Sequence, residues 1–562
     1  MPFSSASTRG ARRRAARRRR LLTRLVPLVL LVLLVVAVTV GATGGTSDAK
    51  HVAQGYVRAW NDGDYAQMYA MLAPSDRRRL TLAAFTAAYE AAATTATETG
   101  IRAGHRISID GNVASIPVVV TTRVFGAPHL TLELPLTADS EHVSYEPRIV
   151  FPGLRAGELL HRTTELGARG TLLAANGEVL ASGPDLSSPI PAVAGLIVGS
   201  LAAIPASERT YDASLGYPAS TKVGADGLER IFQRQLAGTP GGTLYAGMRV
   251  LATTAPRNGE TVHTTIVPAL EQAANAALGG TYAGLTAINP RTGAIEAAVG
   301  LAFTAAQPPG STFKIVTSVA ALESGITTLT TTYPQTSTAD IGGYTLQNAG
   351  GETCGGTLLE AFAQSCNTTF APIGVQVGAQ KLVATAKLFG FDEPTGIPGA
   401  IESTIPSAAA IGGATAVGSS AIGQGAVLAS TLEMAGVGAA IANGGRRPLP
   451  TFDATARPRF VRVTTARVAG EVQQMMEAVV SEGTGATAQI PGVTVAGKTG
   501  TAELANTANE QNNVAETDGW FVGYPVNDPK IVAAALFPSQ GYGEATAAPA
   551  VKAVIEAALG IS

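Results

Sequence analysis

The sequence predicts a multidomain α+β protein behind a single N-terminal transmembrane helix, with its largest domain at the C-terminal end. Three observations carry this. At 562 residues the chain is too long for one hydrophobic core. No charged residue stands between Arg24 and Asp48, and LVPLVLLVLLVVAVTV inside that gap is almost wholly aliphatic. From residue 276 onward, strand-like runs at both ends enclose Ala-rich helical sequence, the pattern of an antiparallel sheet with a helical subdomain.

Taken in order, residues 1–24 form a basic tail, with Arg12 to Arg14, Arg17 to Arg20 and Arg24. Residues 25–45 are long enough to cross a bilayer core as a helix. The arginines should stay cytoplasmic, so the later domains are expected outside the plasma membrane. A cleaved signal peptide ending near Val40-Gly41-Ala42 is the alternative, and the length of the uncharged run favours the anchor.

Residues 46–153 read as a small α+β unit. HVAQGYVRAWNDGDYAQMYAML carries helical spacing around a break at Asn61 to Asp64, and NVASIPVVVTTRVF and LTLELPLT alternate as strands. Residues 154–275 contain a hairpin signal, Asn176-Gly177 between apolar runs, and few chemical candidates, as in a connecting or pedestal domain. In residues 276–562, YAGLTAINPRTGAIEAAVG reads as two strands joined by a turn at Asn289 to Gly293. GVTVAGKTGTAEL, DGWFVGYPV and KIVAAALFP read as three more, followed by a closing helix, so the first and last strands should be neighbours.

Hydrophobic residues make up 46% and charged residues 14%, which excludes a mainly disordered chain. A net charge of −1 gives no reason to expect a nucleic-acid partner. Cys354 and Cys366 are the only cysteines. Neither lies in a CxxC motif or near metal-ligand spacing, so no metal and no cofactor are expected. In an exported chain the two can oxidise to a disulfide; two separate core thiols are the alternative.

The chemistry concentrates in three motifs. Pro308-Pro309-Gly310 is a helix-start signal, and Ser311 and Lys314 follow at i, i+3 on one helical face. A serine needs a base to become a nucleophile, and lysine serves only when neutral. Its reference pKa of ~10.4 must then fall by about 3 units, or about 4 kcal/mol. Burial and a second cation supply such a shift. Lys498, in GKTGTAE at the end of an apolar strand, is that cation's candidate.

Lys498 and the Thr499 hydroxyl suit a substrate carboxylate. Gly500, bare of a side chain, would let a substrate backbone pair with an edge strand. Ser365-Cys366-Asn367 adds a hydroxyl for proton relay and an amide that both donates and accepts. Alone, each motif reads as a helix cap, a polar loop or a turn, and Ser47–Lys50 also fits S-x-x-K. Their order and joint occurrence favour catalysis.

PPGSTFK, SCN and KTGTAE resemble the three active-site motifs of the penicillin-binding proteins. IGQG at Ile422 to Gly425, MAGVGAAIANGG and GWFVGYP are similar to the same family's transpeptidase domain. Upstream, FPGLRAGE, RGTLLAANGEVLA and VGADGLERIFQRQLAG resemble its pedestal or dimerisation domain. That segment departs from the pattern at Ala174-Ala175, where acidic and basic residues are usual before the turn. Residues 46–153 resemble the nuclear-transport-factor-2-like domain of the methicillin-resistance type. With no glycosyltransferase domain in view, the arrangement resembles class B, the monofunctional D,D-transpeptidases.

The resemblance implies a C-terminal serine β-lactamase/transpeptidase-like fold and a full set of roles. Ser311 would attack a D-alanyl-D-alanine stem peptide of peptidoglycan, with Lys314 as base. Ser365 would pass the proton to the leaving D-alanine, and Asn367 would hold the peptide amide. Lys498 and Thr499 would bind the terminal carboxylate, and the N–H groups of Ser311 and Thr501 would form the oxyanion hole. β-Lactam antibiotics would acylate Ser311. Family habit implies a membrane glycosyltransferase partner. A bridge between Cys354 and Cys366 would tie down the motif that contains Cys366.

Three rivals remain at this point. A class A β-lactamase deacylates through a glutamate and its water. No E-x-x-L-N-like segment lies between Ser365 and Lys498, where Asp392, Glu393, Glu402 and Glu433 stand in other contexts. A D,D-carboxypeptidase differs only in its acceptor. A β-lactam receptor or a catalytically weak scaffold is disfavoured by the short cytoplasmic tail and the intact motifs.

Overall fold

The computed structural model describes residues 47–503 and 516–561. The basic tail and the expected membrane anchor lie outside the described residues. Among the described residues, no helix is long and apolar enough to cross a membrane. The chain forms two compact units.

Among the described residues, the first unit comprises 47–167 with Ile204–Thr221 and Thr239–Arg257. A helix over 47–61 ends where Gly63 takes a positive φ of 70°. Asp64 then caps the next helix, Tyr65–Ala70, by accepting from the Gln67 N–H at 2.8 Å. With the helix Leu82–Ala96, these pack on an antiparallel sheet. Its central strand, Val113–Thr122, pairs along one edge with Glu98–Ala103 and Ser108–Asp110, and along the other with His129–Pro135. Ala114, Ile116, Val118 and Val120 alternate into the core, as a half-buried strand requires. Opposite them stand Trp60, Phe85 and Tyr89, with ring centroids 4.7–4.8 Å apart. The buried Tyr89 hydroxyl donates to the Ile149 carbonyl at 3.1 Å and so accepts from the buried Tyr56 hydroxyl at 2.6 Å.

The pedestal segment, 154–275, is shared between the units. Leu160–Glu165, Gly241–Ala246 and Arg249–Thr254 form a three-stranded sheet in the first. In the second, Thr171–Leu173 and Val179–Ser182 form a hairpin turning at Asn176-Gly177, where Gly177 has φ 85°. Thr261–His263 joins it in parallel.

The rest of the second unit positions the chemistry. In chain order its main elements are α1 (Pro268–Leu278), β1 (Gly284–Ile288), β2 (Ile295–Gly300), α2 (Lys314–Glu323), α3 (Leu358–Ala363), α4 (Asn367–Val377), α5 (Thr431–Ala442), α6 (Ala466–Ser481), β3 (Val495–Glu503), β4 (Thr517–Pro525), β5 (Val532–Phe537) and α7 (Ala547–Leu559). The sheet runs β2-β1-β5-β4-β3, antiparallel throughout, with β3 at one edge. The first strand thus pairs with the last, as expected from the sequence.

Strands β4 and β5 are buried along their whole length because helices cover both faces. Side chains alternate between two cores. Trp520, Val522, Tyr524, Val532, Ala534 and Leu536 face α5 and the helical subdomain, whereas Phe521, Ala533, Ala535 and Phe537 face α1 and α7. On β3, Ala496 joins the first set and Val495 the second. The same period puts Lys498 and Gly500 on the face of the helical subdomain.

Candidate active site

Ser311 lies in a 3₁₀ turn, Gly310–Phe313, that runs directly into α2. In a 3₁₀ turn residues i and i+3 eclipse, so Lys314 is brought over Ser311 more closely than an α-helix would bring it. Two glycines set this turn. Gly310 has φ 52°, and a Cβ there would stand 2.6 Å from the Thr501 carbonyl oxygen. Its N–H donates to the Gly423 carbonyl at 3.0 Å. Gly423 also has positive φ, and a Cβ on it would stand 2.1 Å from the Gly310 oxygen. Gln424 Nε2 then donates to the Thr501 carbonyl at 3.4 Å. The IGQG turn therefore links the Ser311 segment to β3.

The second motif is placed by an unusual helix end. Helix α3 opens with a capping box, Thr357 accepting from the Glu360 N–H and Glu360 from the Thr357 N–H. It closes with the Ser365 N–H on the Phe362 carbonyl at 3.0 Å and the Cys366 N–H on that of Ala361 at 2.9 Å. This is the Schellman pattern, in which glycine usually takes the left-handed position. Here that residue is Ser365, at φ 60°. A non-glycine there costs about 1–2 kcal/mol, and it aims the hydroxyl at the lysines. Cys366, fully buried, is bonded to Cys354 with their Cα atoms 5.8 Å apart. The motif is thereby anchored to the strand Cys354–Thr357.

Five expected residues converge. Lys314 Nζ lies 2.9 Å from Ser311 Oγ, donates to Asn367 Oδ1 at 2.8 Å and to the Ser365 carbonyl at 2.6 Å, and lies 3.3 Å from Ser365 Oγ. Lys498 Nζ approaches the same hydroxyl from β3 at 2.9 Å and donates to the Thr499 carbonyl at 3.0 Å. Asn367 Nδ2 donates to the Gln347 carbonyl at 3.3 Å.

Both lysines are fully buried, each with a phenylalanine ring nearby: Phe370 lies 5.6 Å from Lys314, and Phe362 5.6 Å from Lys498. Burial pushes Lys314 well below the ordinary lysine range, and the neighbouring Lys498 pushes it further. Burial brings Lys498 down to about 7. A neutral lysine against a serine hydroxyl, with a half-charged one behind it, can activate a nucleophile near neutral pH. Among the described residues, no acidic side chain hydrogen-bonds to Ser311, Lys314 or Ser365. Asp139, Glu141 and His142, which bring potential metal-ligand atoms within 4.8 Å of one another, belong to the first unit, whereas the three motifs belong to the second.

Thr499, Gly500 and Thr501 sit on the edge strand as expected, but Gly500 is bare for another reason. A Cβ there would meet the Pro309 carbonyl oxygen at 2.7 Å, Trp520 Cβ at 2.8 Å and Thr312 Cγ2 at 3.0 Å. Its missing side chain admits the Ser311 turn from within the protein. The other S-x-x-K pair, Ser47 and Lys50, is exposed on the first helix. Sequence reasoning missed Thr484, whose hydroxyl lies 2.6 Å from that of Thr499. Its only sequence signal is the paired glycines around it.

The family profile described as penicillin binding protein transpeptidase domain matches residues 283–556. A peptidoglycan D,D-transpeptidase PbpA of Mycolicibacterium smegmatis is 33% identical over 419 residues, covering 63% of this chain and 79% of the relative. The chain belongs to the penicillin-binding transpeptidase family. A second PbpA, from Mycobacterium tuberculosis, is 35% identical over 278 residues, 45% of this chain and 55% of that protein. Among solved structures, penicillin-binding protein A of M. tuberculosis in its ceftriaxone acyl-enzyme complex aligns with a TM-score of 0.55 and 26% identity, over 70% of this chain and 98% of that one. The D,D-transpeptidase domain of an Eggerthella lenta peptidoglycan glycosyltransferase aligns at 0.57 and 28%, over 70% and 99%. In this penicillin-binding transpeptidase Lys314 is within hydrogen-bond reach of Ser311, Ser365 and Asn367, and Lys498 is within reach of Ser365.

Proposed function

We infer that the protein is a serine D,D-transpeptidase that cross-links peptidoglycan stem peptides and is acylated by β-lactams. The observation that carries this is Lys314 Nζ at 2.9 Å from Ser311 Oγ, with Ser365 Oγ between Lys314 and Lys498. Neutral Lys314 takes the Ser311 proton as Oγ attacks the carbonyl of the penultimate D-alanine. The Ser311 and Thr501 N–H groups stabilise the oxyanion. As the tetrahedral species collapses, Ser365 relays a proton to the departing D-alanine nitrogen. An amine of a second stem peptide then attacks the ester, its proton returning through Lys314, and the new amide leaves Ser311 free. Lys498 and Thr499 hold the donor's carboxylate during acylation, and Asn367 its amide.

The reading extends to the rest of the chain. Three helices packed on an antiparallel sheet support a nuclear-transport-factor-2-like assignment for the first unit's N-terminal part. The uncharged run after Arg24 supports a single-pass plasma-membrane protein with extracellular C-terminal domains. Cross-linking requires polymerised glycan strands, which supports a membrane glycosyltransferase as partner.

The test supplies the full-length protein in detergent with a D-alanyl-D-alanine-ended donor and an amine acceptor. Equal yields of free D-alanine and cross-linked dimer are expected. D-alanine without dimer would make the enzyme a carboxypeptidase, and neither product would make it a scaffold or receptor.

A further inference from the structure

Thr484 lies between the glycines 483 and 485, in the loop after α6. Its N–H donates to the Ala363 carbonyl at 3.1 Å, and its hydroxyl oxygen lies 2.6 Å from Thr499 Oγ1. A Cβ on Gly483 would stand 2.3 Å from the Ala363 oxygen, so the loop is pressed against the end of α3. One residue thus touches both the strand that carries Lys498 and Thr499 and the helix that presents Ser365.

We propose that Thr484 is a positioning residue for carboxylate recognition, donating its hydroxyl proton to Thr499 so that Thr499 donates its own to the ligand. The proposal rests on the reading of Thr499 as a carboxylate contact. A hydroxyl has one proton and two lone pairs. A carboxylate only accepts, so Thr499 must turn its proton toward it. At 2.6 Å one of the two threonine oxygens must donate to the other, and with Thr499 committed outward the donor is Thr484. The reverse orientation turns lone pairs of Thr499 toward the carboxylate. It also leaves the Thr484 proton only the Ala363 carbonyl, 3.5 Å away, at the limit of a hydrogen bond. Lys498 Nζ, 3.4 Å from Thr499 Oγ1, adds a second donor with the same sense. Each bond in such a chain polarises the next.

The experiment compares second-order acylation rate constants of the full-length protein with benzylpenicillin and with its methyl ester, which lacks the charge. Thr484→Val should lose about five- to tenfold on the acid and less than about twofold on the ester. Thr484→Ser should keep the wild-type preference for the acid. In a Thr499→Val background the further change Thr484→Val should cost nothing on either ligand. Equal losses on acid and ester would mean Thr484 merely packs the loop, and no loss on the acid would also overturn the proposal. Should Thr484→Val fail to fold, the Ser and Ala variants make the same comparison. A wild type indifferent to esterification would overturn the carboxylate reading of Thr499 first, before any Thr484 variant is measured.

Discussion

Lys314 and Lys498, from a helix and a strand far apart in sequence, bring their amino groups to the same hydroxyl, that of Ser365, at 3.3 and 2.9 Å. Two buried ammonium groups so close repel each other, and each has lost most of its water. The arrangement therefore sets protonation as well as geometry. Burial and the neighbouring Lys498 both lower the pKa of Lys314, which favours its neutral, proton-accepting form.

This gives a signed pH dependence. The fraction of neutral Lys314 grows with rising pH, so acylation should rise through its depressed pKa. Lys498 loses its proton at about 7, so capture of a carboxylate ligand should weaken above that pH. The second-order acylation rate with penicillin, followed from about pH 5 to 10, should be bell-shaped. A rise continuing to pH 10 for a carboxylate ligand would contradict the assignment of Lys498.

The disulfide predicts a linked effect on stability and activity. Cys354 and Cys366 are 12 residues apart, and closing a loop of that size removes about 3 kcal/mol of unfolded-state entropy in the chain-entropy account. Cys354→Ser with Cys366→Ser should lower the unfolding midpoint and slow acylation, because Cys366 lies between Ser365 and Asn367. Wild-type acylation in the double variant would show that packing alone holds the motif.

Gly500→Ala tests the close approach of the Ser311 turn. The new methyl group would overlap the Pro309 oxygen, so the turn or the strand must move. A loss of roughly 1–3 kcal/mol is expected from overpacking of this kind. Acylation should fall further than stability alone explains, since Ser311 is two residues from Pro309. Full acylation by a folded Gly500→Ala protein would show that the turn tolerates displacement.

A stability prediction concerns Glu271 on α1. The carboxylate is fully buried, and one oxygen accepts from the Ala298 N–H at 2.8 Å while the other has no partner. Burial pushes it up to about 8 from 4.5. The folded state therefore keeps its proton where the unfolded state loses it. This contribution to stability is full below pH 4.5 and is lost as pH rises toward about 8, levelling above. Glu271→Gln has no such loss, so its advantage should widen across that window to a few kcal/mol. Melting curves with a constant difference between the two proteins at all pH values would refute the burial argument.

Much of this was legible in the sequence where a local rule fixes the outcome. The Asn176-Gly177 hairpin, the turn at Asn289 to Gly293 and the break at Asn61 to Asp64 follow from turn chemistry. Alternation marked the half-buried strand Val113–Thr122, and three spaced motifs told where the chemistry lies. The misreadings came where tertiary contacts decide. Nothing local says that Leu160–Glu165 pairs with Gly241–Ala246, a contact made across a long stretch of intervening chain. Gly500 looked open to a substrate because the Pro309 carbonyl that fills its space arrives from a remote segment. Ser365 gave no sign of a left-handed backbone, since glycine normally marks that position. Thr484 lies outside all three motifs, and only the fold brings it to Thr499.

The central claim is that Ser311 is the nucleophile of a slowly deacylating enzyme. The most direct test incubates full-length wild type, Ser311→Ala and Ser47→Ala with a fluorescent penicillin and follows intact mass over hours. One persistent adduct on wild type and Ser47→Ala, and none on Ser311→Ala, is the predicted result. An adduct surviving in Ser311→Ala, or rapid release of hydrolysed drug by the wild type, would contradict it.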